Sequence, residues 1–146
     1  MTTRDLDLNL NLRYAHGLGA LADHFQALEQ GRVLAARCAD CGRTWFPPHA
    51  RCPDDGGDCR EVELAGDGIV VSETRTRTRL PFTDADTDTD VTFVLVAMTG
   101  ADNAAFGRLQ GFAGDHAAGL AVHLAVPEGP LGHPAQALVF RPAEDT

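Results

Sequence analysis

The sequence has little positive charge and few large aromatic rings. All 12 of its basic residues are arginine, against 21 Asp and Glu, so the formal net charge is −9, and it holds one Trp and one Tyr. Nucleic acids and anionic membranes attract clustered Lys and Arg, and single-stranded nucleic acids also need aromatic rings for stacking. We therefore expect neither a nucleic acid nor a membrane as partner.

Long apolar runs and familiar catalytic motifs are also lacking. No stretch of 18 apolar residues occurs, and the N-terminus does not read as a basic and apolar leader, so we expect a cytoplasmic protein. The sequence has no G-x-S-x-G elbow, no P-loop and no G-x-G-x-x-G fingerprint. We therefore expect a chain that is not catalytic on its own.

The four cysteines are concentrated in residues 38–59. Cys38 and Cys41 have the C-x2-C spacing that lets two sulfurs of one turn face the same ion, and Gly42 follows. Disulfides are rare in a reducing compartment, whereas thiolates suit tetrahedral zinc. The cluster predicts a structural zinc site, because four protein ligands leave no open position for water or substrate. The predicted ligands are Cys38, Cys41, Cys52 and Cys59.

The second half of this motif is irregular, and three hypotheses remain open. A regular ribbon would place a cysteine at position 55, where this chain has Asp55. In the first hypothesis Cys59 folds back as the fourth ligand through the loop that contains Gly56 and Gly57. In the second, Asp55 supplies an oxygen ligand and Cys59 stays free. In the third, the site holds no metal. A surface or packing role is expected for His49, the remaining stand-in ligand.

An aromatic and proline-rich turn lies between the two cysteine pairs. Trp45, Phe46, Pro47 and Pro48 form either the small core of a ribbon or an exposed contact for a partner, since aromatic side chains beside rigid prolines are good interface anchors. Both roles are compatible with the sequence.

The N-terminal part predicts one arm and one helix. Residues 5–12 alternate polar and apolar side chains with period two, which predicts an extended arm packed on its own domain or on a neighbouring subunit. Residues 17–30 carry apolar side chains at helical spacing, and Gly31 is placed to end the helix. That apolar stripe comprises Leu18, Leu21, Phe25 and Leu28.

The C-terminal part predicts an all-β domain. Strand patterns cover residues 69–80, 91–99, 106–112, 120–126 and 137–141, with glycine-rich turns between them. Five short strands favour a closed OB-fold barrel. The acidic segment 84–90 resembles a calcium loop, but it lacks the Gly and Glu that an EF-hand requires, so we interpret it as a solvated hairpin loop.

This order of parts resembles the small accessory subunits of thiolase-superfamily, acyl-CoA-dependent enzymes, such as the small subunit of benzoylsuccinyl-CoA thiolase and the OB-fold partners of steroid side-chain retro-aldolases. The resemblance is carried by residues 31–34, the Cys38-x-x-Cys41-Gly42 knuckle, Phe46-Pro47-Pro48, Cys52-Pro53 and residues 63–68. It implies a mostly β protein with an N-terminal arm and helix (1–31), a rubredoxin-like zinc ribbon (32–64) and a five-stranded OB-fold (65–146). The departure from the family pattern is Asp55.

The resemblance also implies different roles for two subunits. A thiolase-like catalytic subunit would make or break a carbon–carbon bond beside a thioester, and the small subunit would stabilise it in a 2:2 or larger hetero-oligomer. Contact with coenzyme A or acyl-CoA is implied too. Arg75, Arg77 and Arg79 lie on one strand face and are candidates for its phosphates, with a solvent-facing edge or a salt-linked interface as alternatives. Other functions open to such a chain are a nucleic-acid-binding module and a rubredoxin-like redox protein.

Overall fold

The computed structural model describes residues 12, 14–80, 88–127 and 136–143. A 3-10 turn, Gly19–Leu21, leads into helix α1, Ala22–Glu29. Eight strands follow: β1 Val33–Cys38, β2 Thr44–Trp45, β3 Cys59–Leu64, β4 Asp67–Thr78, β5 Thr89–Met98, β6 Ala104–Leu109, β7 Ala121–Leu124 and β8 Val139–Pro142. The prediction of a mostly β protein with an N-terminal helix, a ribbon and a five-stranded barrel is confirmed.

Helix α1 is shorter than the predicted span of residues 17–30. It is preceded by Gly19 at φ +58°, a left-handed conformation that interrupts an α-helix. Its C-terminus follows the prediction, since Gly31 has φ +75° and its N–H donates to Leu28 O at 3.0 Å, while Arg32 N–H reaches Ala27 O at 2.8 Å. These two bonds form a Schellman motif, which satisfies the last carbonyls of the helix.

The ribbon is a three-stranded antiparallel sheet in the order β2-β1-β3. Strand β1 is central and buried at nearly every position, so one apolar strand organises the whole unit. Its last residue, Cys38, pairs with Cys59 at the start of β3. Two residues, 65 and 66, separate the end of β3 from the start of β4, so the predicted boundary at residue 65 falls in a very short connection.

The barrel closes in the order β4-β5-β6-β8-β7. All neighbouring strands are antiparallel except β6 and β8, which pair in parallel. This closed order with one parallel pair is the topology of an OB-fold, in which every strand has two neighbours. A β-bulge between Val70 and Ser72 bends β4, the longest strand.

A single apolar cluster joins all parts of the described chain. It contains Phe25 and Leu28 of the helix, Phe46 of the ribbon and the inward residues of the barrel, such as Val96 and Phe140. The other half of the predicted helical stripe, Leu18 and Leu21, remains largely exposed. Helix α1 therefore buries one face along its whole length, whereas the segment that precedes it stays at the surface.

The ribbon is attached to the barrel by the loop between β5 and β6. Asn103 accepts a hydrogen bond from Phe46 N–H at 2.9 Å and donates its Nδ2 to Phe46 O at 2.7 Å. Beside it, the Asp102 carboxylate accepts from Thr44 N–H at 2.8 Å, and its own N–H donates to Thr44 O at 2.8 Å. The loop residues Asp102 and Asn103 thus hydrogen-bond to the backbone N–H and C=O of Thr44 and Phe46, as a neighbouring strand would.

No helix in the described ranges is long or apolar enough to span a bilayer. Two of the predicted features, the arm at residues 5–12 and the acidic loop at residues 84–90, lie mostly outside the described residues, and the last two residues of the predicted loop, Thr89 and Asp90, belong to β5.

Candidate metal centre

The first cysteine pair sits on a tight turn that follows strand β1. Gly42 N–H donates to Cys38 O at 3.2 Å, and Gly42 has φ +75°, which favours glycine. The backbone N–H groups of Asp40 and Cys41 point at the Cys38 sulfur, at 3.4 and 3.5 Å. These two contacts hold the Cys38 sulfur on the inside of the turn.

The second turn repeats this geometry with a different ligand. Gly56 N–H donates to Cys52 O at 2.9 Å, and Gly56 also has φ +75°. Gly56 therefore corresponds to Gly42, and Cys52 corresponds to Cys38. By the same correspondence Asp55 occupies the place that Cys41 has in the first turn.

The two turns bring four ligand atoms together, one each from Cys38, Cys41, Cys52 and Asp55, all within 4.8 Å of one another. The Cys41 and Cys52 sulfurs are 3.6 Å apart. The Cys38 sulfur lies 3.5 Å from Oδ1 and 3.6 Å from Oδ2 of Asp55. All four cysteines are free thiols.

These separations suit tetrahedral zinc. With Zn–S bonds of about 2.3 Å and a Zn–O bond of about 2.0 Å, the edges of a tetrahedron are about 3.8 Å between two sulfurs and about 3.5 Å between sulfur and oxygen. The observed distances are close to both values. When bound, the metal would cross-link the two turns, and its four protein ligands would leave no position open for chemistry.

Cys59 lies beside this group without belonging to it. It faces Cys38 across the β1–β3 pair, but its sulfur is not among the four clustered atoms, and it lies 4.0 Å from Gly57 O. Of the two ligand hypotheses for the fourth position, this geometry favours Asp55. His49 is exposed and packs edge-on against Trp45, with ring centroids 6.3 Å apart.

The electrostatics of the site indicate the need for a cation. The Gly57 N–H, which donates to Asp55 Oδ1 at 2.8 Å, lowers the pKa of that carboxyl group. A hydrogen bond from the Arg43 backbone lowers the pKa of Cys41, but burial and the contacts with Asp55, Cys38 and Cys52 outweigh it and raise that pKa to about 12. Burial, together with the nearby sulfurs of Cys38 and Cys52, also raises the pKa of Cys59. A bound metal ion would stabilise the deprotonated form of all four ligands, which otherwise repel one another at this spacing.

Of the four residues in the aromatic turn, one lies in the core and three lie at the surface. Phe46 is completely buried and contacts His24 edge-on, with ring centroids 5.7 Å apart. Trp45, Pro47 and Pro48 are each partly exposed. The structure therefore places Phe46 in the core, which is the first of the two roles predicted for this turn, and leaves the other three at the ribbon surface.

The three candidate arginines lie at the C-terminal end of β4, outside the cluster of ligand atoms. Arg75 and Arg77 face the same side, opposite Thr92 and Asp90 of β5, and Arg79 follows just beyond the strand. Arg75 and Arg108 line an open groove of about 740 Å³ that also includes apolar residues. Sequence reasoning found Arg75 but missed Arg108, because strand pairing alone brings the two together.

Comparison with known proteins agrees with this architecture. Residues 25–63 match the family model described as ChsH2, rubredoxin-like zinc ribbon domain. The chain is 31% identical to a chain of the solved structure described as "Ltp2-ChsH2(DUF35) aldolase", with 89% of this chain and 98% of that chain covered at a TM-score of 0.64. This chain therefore belongs to the ChsH2 (DUF35) family of zinc-ribbon, OB-fold proteins, and the predicted resemblance is confirmed.

A second solved structure shares the fold. It is a DUF35 protein of unknown function from Sulfolobus solfataricus, 17% identical, with 86% of this chain and 87% of that chain covered at a TM-score of 0.61. No curated protein matches this chain significantly.

Proposed function

We propose that this chain is the non-catalytic accessory subunit of a heteromeric acyl-CoA enzyme that makes or cleaves a carbon–carbon bond beside a thioester. Its catalytic partner is a thiolase-like subunit, in a cytoplasmic complex of 2:2 or larger composition. The observation that carries this proposal is the 31% identity to a chain of the Ltp2-ChsH2(DUF35) aldolase, of which 98% is covered by the match.

The metal centre supports a structural role within that assembly. Cys38, Cys41, Cys52 and Asp55 are the ligands that we propose for one zinc ion. The ion fixes the two turns that bracket residues 43–51, so that the partly exposed Trp45, Pro47 and Pro48 keep one arrangement. A rigid aromatic and proline surface loses little conformational entropy when a partner binds.

In this proposal, coenzyme A binds in the open groove that Arg75 and Arg108 line. Guanidinium groups bind phosphate oxygens in a bidentate manner, and Arg75 and Arg108 line the groove, with Arg77 on the same strand face as Arg75. Apolar groove residues such as Leu109 and Phe112 suit the non-polar parts of an acyl thioester. Asp90 also lines the groove and would oppose a phosphate placed close to it.

Co-expression with the proteins encoded beside this chain tests the central proposal. The expected result is a stable complex with a thiolase-fold protein, about one zinc per chain, and acyl-CoA lyase or thiolase activity that is absent from this chain alone. A chain that purifies alone and neither binds nor stimulates such a protein would overturn the proposal.

The groove is tested in the assembled complex with Arg75→Gln/Arg77→Gln. If these arginines bind CoA phosphates, the double variant raises the KM for acyl-CoA and leaves kcat nearly unchanged, because the lost contact is made equally in the ground and transition states. Arg60→Gln, at an exposed position of the ribbon, is the matched control. An unchanged KM would remove the groove from the proposal while leaving the accessory role intact.

A further inference from the structure

The outer face of the barrel carries an apolar patch on strands β4, β5 and β6. Strand register places Ile69 beside Ala97, Ala97 beside Ala104, and Leu95 beside Phe106. The large side chains here are well exposed: Ile69 47%, Val71 57%, Leu95 39% and Phe106 59%. Soluble monomers rarely expose a contiguous apolar surface of this kind without using it.

Two phenylalanines give the patch a rigid centre. Phe93 and Phe106 sit diagonally on adjacent strands, and their rings stack at a centroid distance of 5.3 Å with 18° between their planes. Because each ring limits the rotation of the other, the pair is already ordered before a partner binds. Aromatic anchors of this type dominate the energetics of protein interfaces.

The charge pattern restricts what covers the patch. The outward positions of β4 between Ile69 and Thr74, and those of β5 and β6 beside them, carry no carboxylate, although the chain has 21 acidic residues. Glu73, the acidic residue within that span, lies opposite buried Val94, and its carboxylate accepts a hydrogen bond from Ala117 N–H. Exposed Asp67 and Asp102 border its ribbon end, and partly buried Arg108 stands opposite Phe93. A second copy of the chain or an anionic membrane would meet long-range repulsion from a net charge of −9. A partner protein whose contact surface has an apolar centre and basic residues at its rim would not meet this repulsion.

The closed barrel restricts the mode of contact. At the centre of the patch, β5 is hydrogen-bonded to β4 on one side and to β6 on the other from Thr92 to Ala97, so no edge is free there for strand addition. A partner must therefore bind the centre of the patch through side chains on the sheet face. This requirement suits a folded subunit better than an extended peptide.

We infer that this face, centred on Phe93 and Phe106, is the surface that binds the catalytic subunit. The inference rests on the proposed function and adds to it a contact site for the catalytic subunit that lies on the barrel, apart from the ribbon. The patch forms the apolar core of the contact, and basic residues of the partner face Asp67 and Asp102.

The test measures binding of purified variants to the co-expressed catalytic subunit by isothermal titration calorimetry. Phe106→Ser is expected to weaken binding by about 30-fold or more, as at interface hot spots, and the milder Leu95→Ser by less. Val126→Ser is the matched control, because Val126 is 54% exposed and lies after β7, away from the patch. It should change binding by less than about threefold, as most residues outside hot spots do.

Each outcome decides a separate question. If wild-type protein binds and Phe106→Ser binds equally well while folded and metal-loaded, the docking face is wrong and the accessory role survives. If wild-type protein forms a dimer by light scattering that Phe106→Ser dissociates without affecting hetero-complex formation, the face belongs to a second copy and the inference is overturned. If wild-type protein binds no thiolase-fold subunit at all, the proposed function fails and the inference fails with it.

Discussion

The Cys38 sulfur lies 3.5 Å from a carboxylate oxygen of Asp55, across 17 residues of sequence. The contact exists because the chain makes the same turn twice, each time closed by a glycine N–H on the carbonyl of the leading cysteine. Asp55 therefore stands where a fourth cysteine would complete a regular ribbon. Cys59, the other candidate, remains on the neighbouring strand.

Substitution of Asp55 should change metal affinity in both directions. Asp55→Ala removes one of four ligands and should weaken zinc binding by more than about tenfold, since even outer-shell partners contribute about 10–100-fold. Asp55→Cys restores a four-thiolate set, and we expect slower zinc release than in the wild type. Competition with a chromophoric chelator measures both effects.

Cys59→Ser provides the matched control for that series. Because its sulfur lies outside the clustered ligand atoms, the variant should keep about the wild-type zinc content, whereas Cys52→Ser should lose it. A Cys59→Ser protein without zinc, beside an Asp55→Ala protein that keeps it, would show that Cys59 is the fourth ligand.

Truncation of Phe46 should affect stability more than association. The ring is completely buried against His24 and belongs to the common core, so Phe46→Ala should lower the free energy of unfolding by about 3–5 kcal/mol. Phe46→Leu, which keeps most of the volume, should cost clearly less. Urea denaturation measures both variants, and equal costs would argue against close packing around the ring.

The sequence predicted the strands well because their side chains alternate. Buried residues recur at every second position from Gly68 to Val70 in β4 and from Val94 to Met98 in β5, and the predicted spans of these two strands differ from the observed ones by about two residues at each end. The predicted common face of Arg75 and Arg77 holds because both lie beyond the bulge at Val70 and Ser72. Period two is a local property, so no knowledge of the tertiary structure was needed.

Two features could not be predicted from the sequence because they depend on contacts between distant segments. The spacing of Cys52, Asp55 and Cys59 permits either fourth ligand, and only the folded turns distinguish them. The apolar patch was also hidden, because Val94 and Leu95 look alike in the sequence, yet one is buried and the other exposed. Alternation shows that a strand has two faces, but apolar residues on both leave the inward face undetermined.

Asn103 should be essential for attachment of the ribbon to the barrel. Asn103→Ala leaves the N–H and C=O of Phe46 without their present partners, at a cost of about 1–3 kcal/mol. Asn103→Asp keeps the acceptor but loses the Nδ2 donor, so an intermediate cost is expected. Hydrogen exchange at the Phe46 amide should accelerate most in Asn103→Ala, while amides within the barrel core change little. Uniform acceleration across the chain would instead indicate global destabilisation.

Buried His24 should make the protein less stable in mild acid. Burial lowers the pKa of this imidazole below its ordinary value of 6.5, although a hydrogen bond with the Leu34 backbone partly offsets the effect. The unfolded chain then binds the proton more tightly than the folded one, so stability is complete above pH 6.5 and declines as pH falls towards the lower folded-state value. His24→Gln should remove this dependence, so its stability relative to wild type should improve between pH 7.5 and 5.5. Exposed His123→Gln is the control, with zinc in excess because acid also weakens metal binding. Parallel pH profiles for wild type and His24→Gln would show that His24 does not contribute to acid sensitivity.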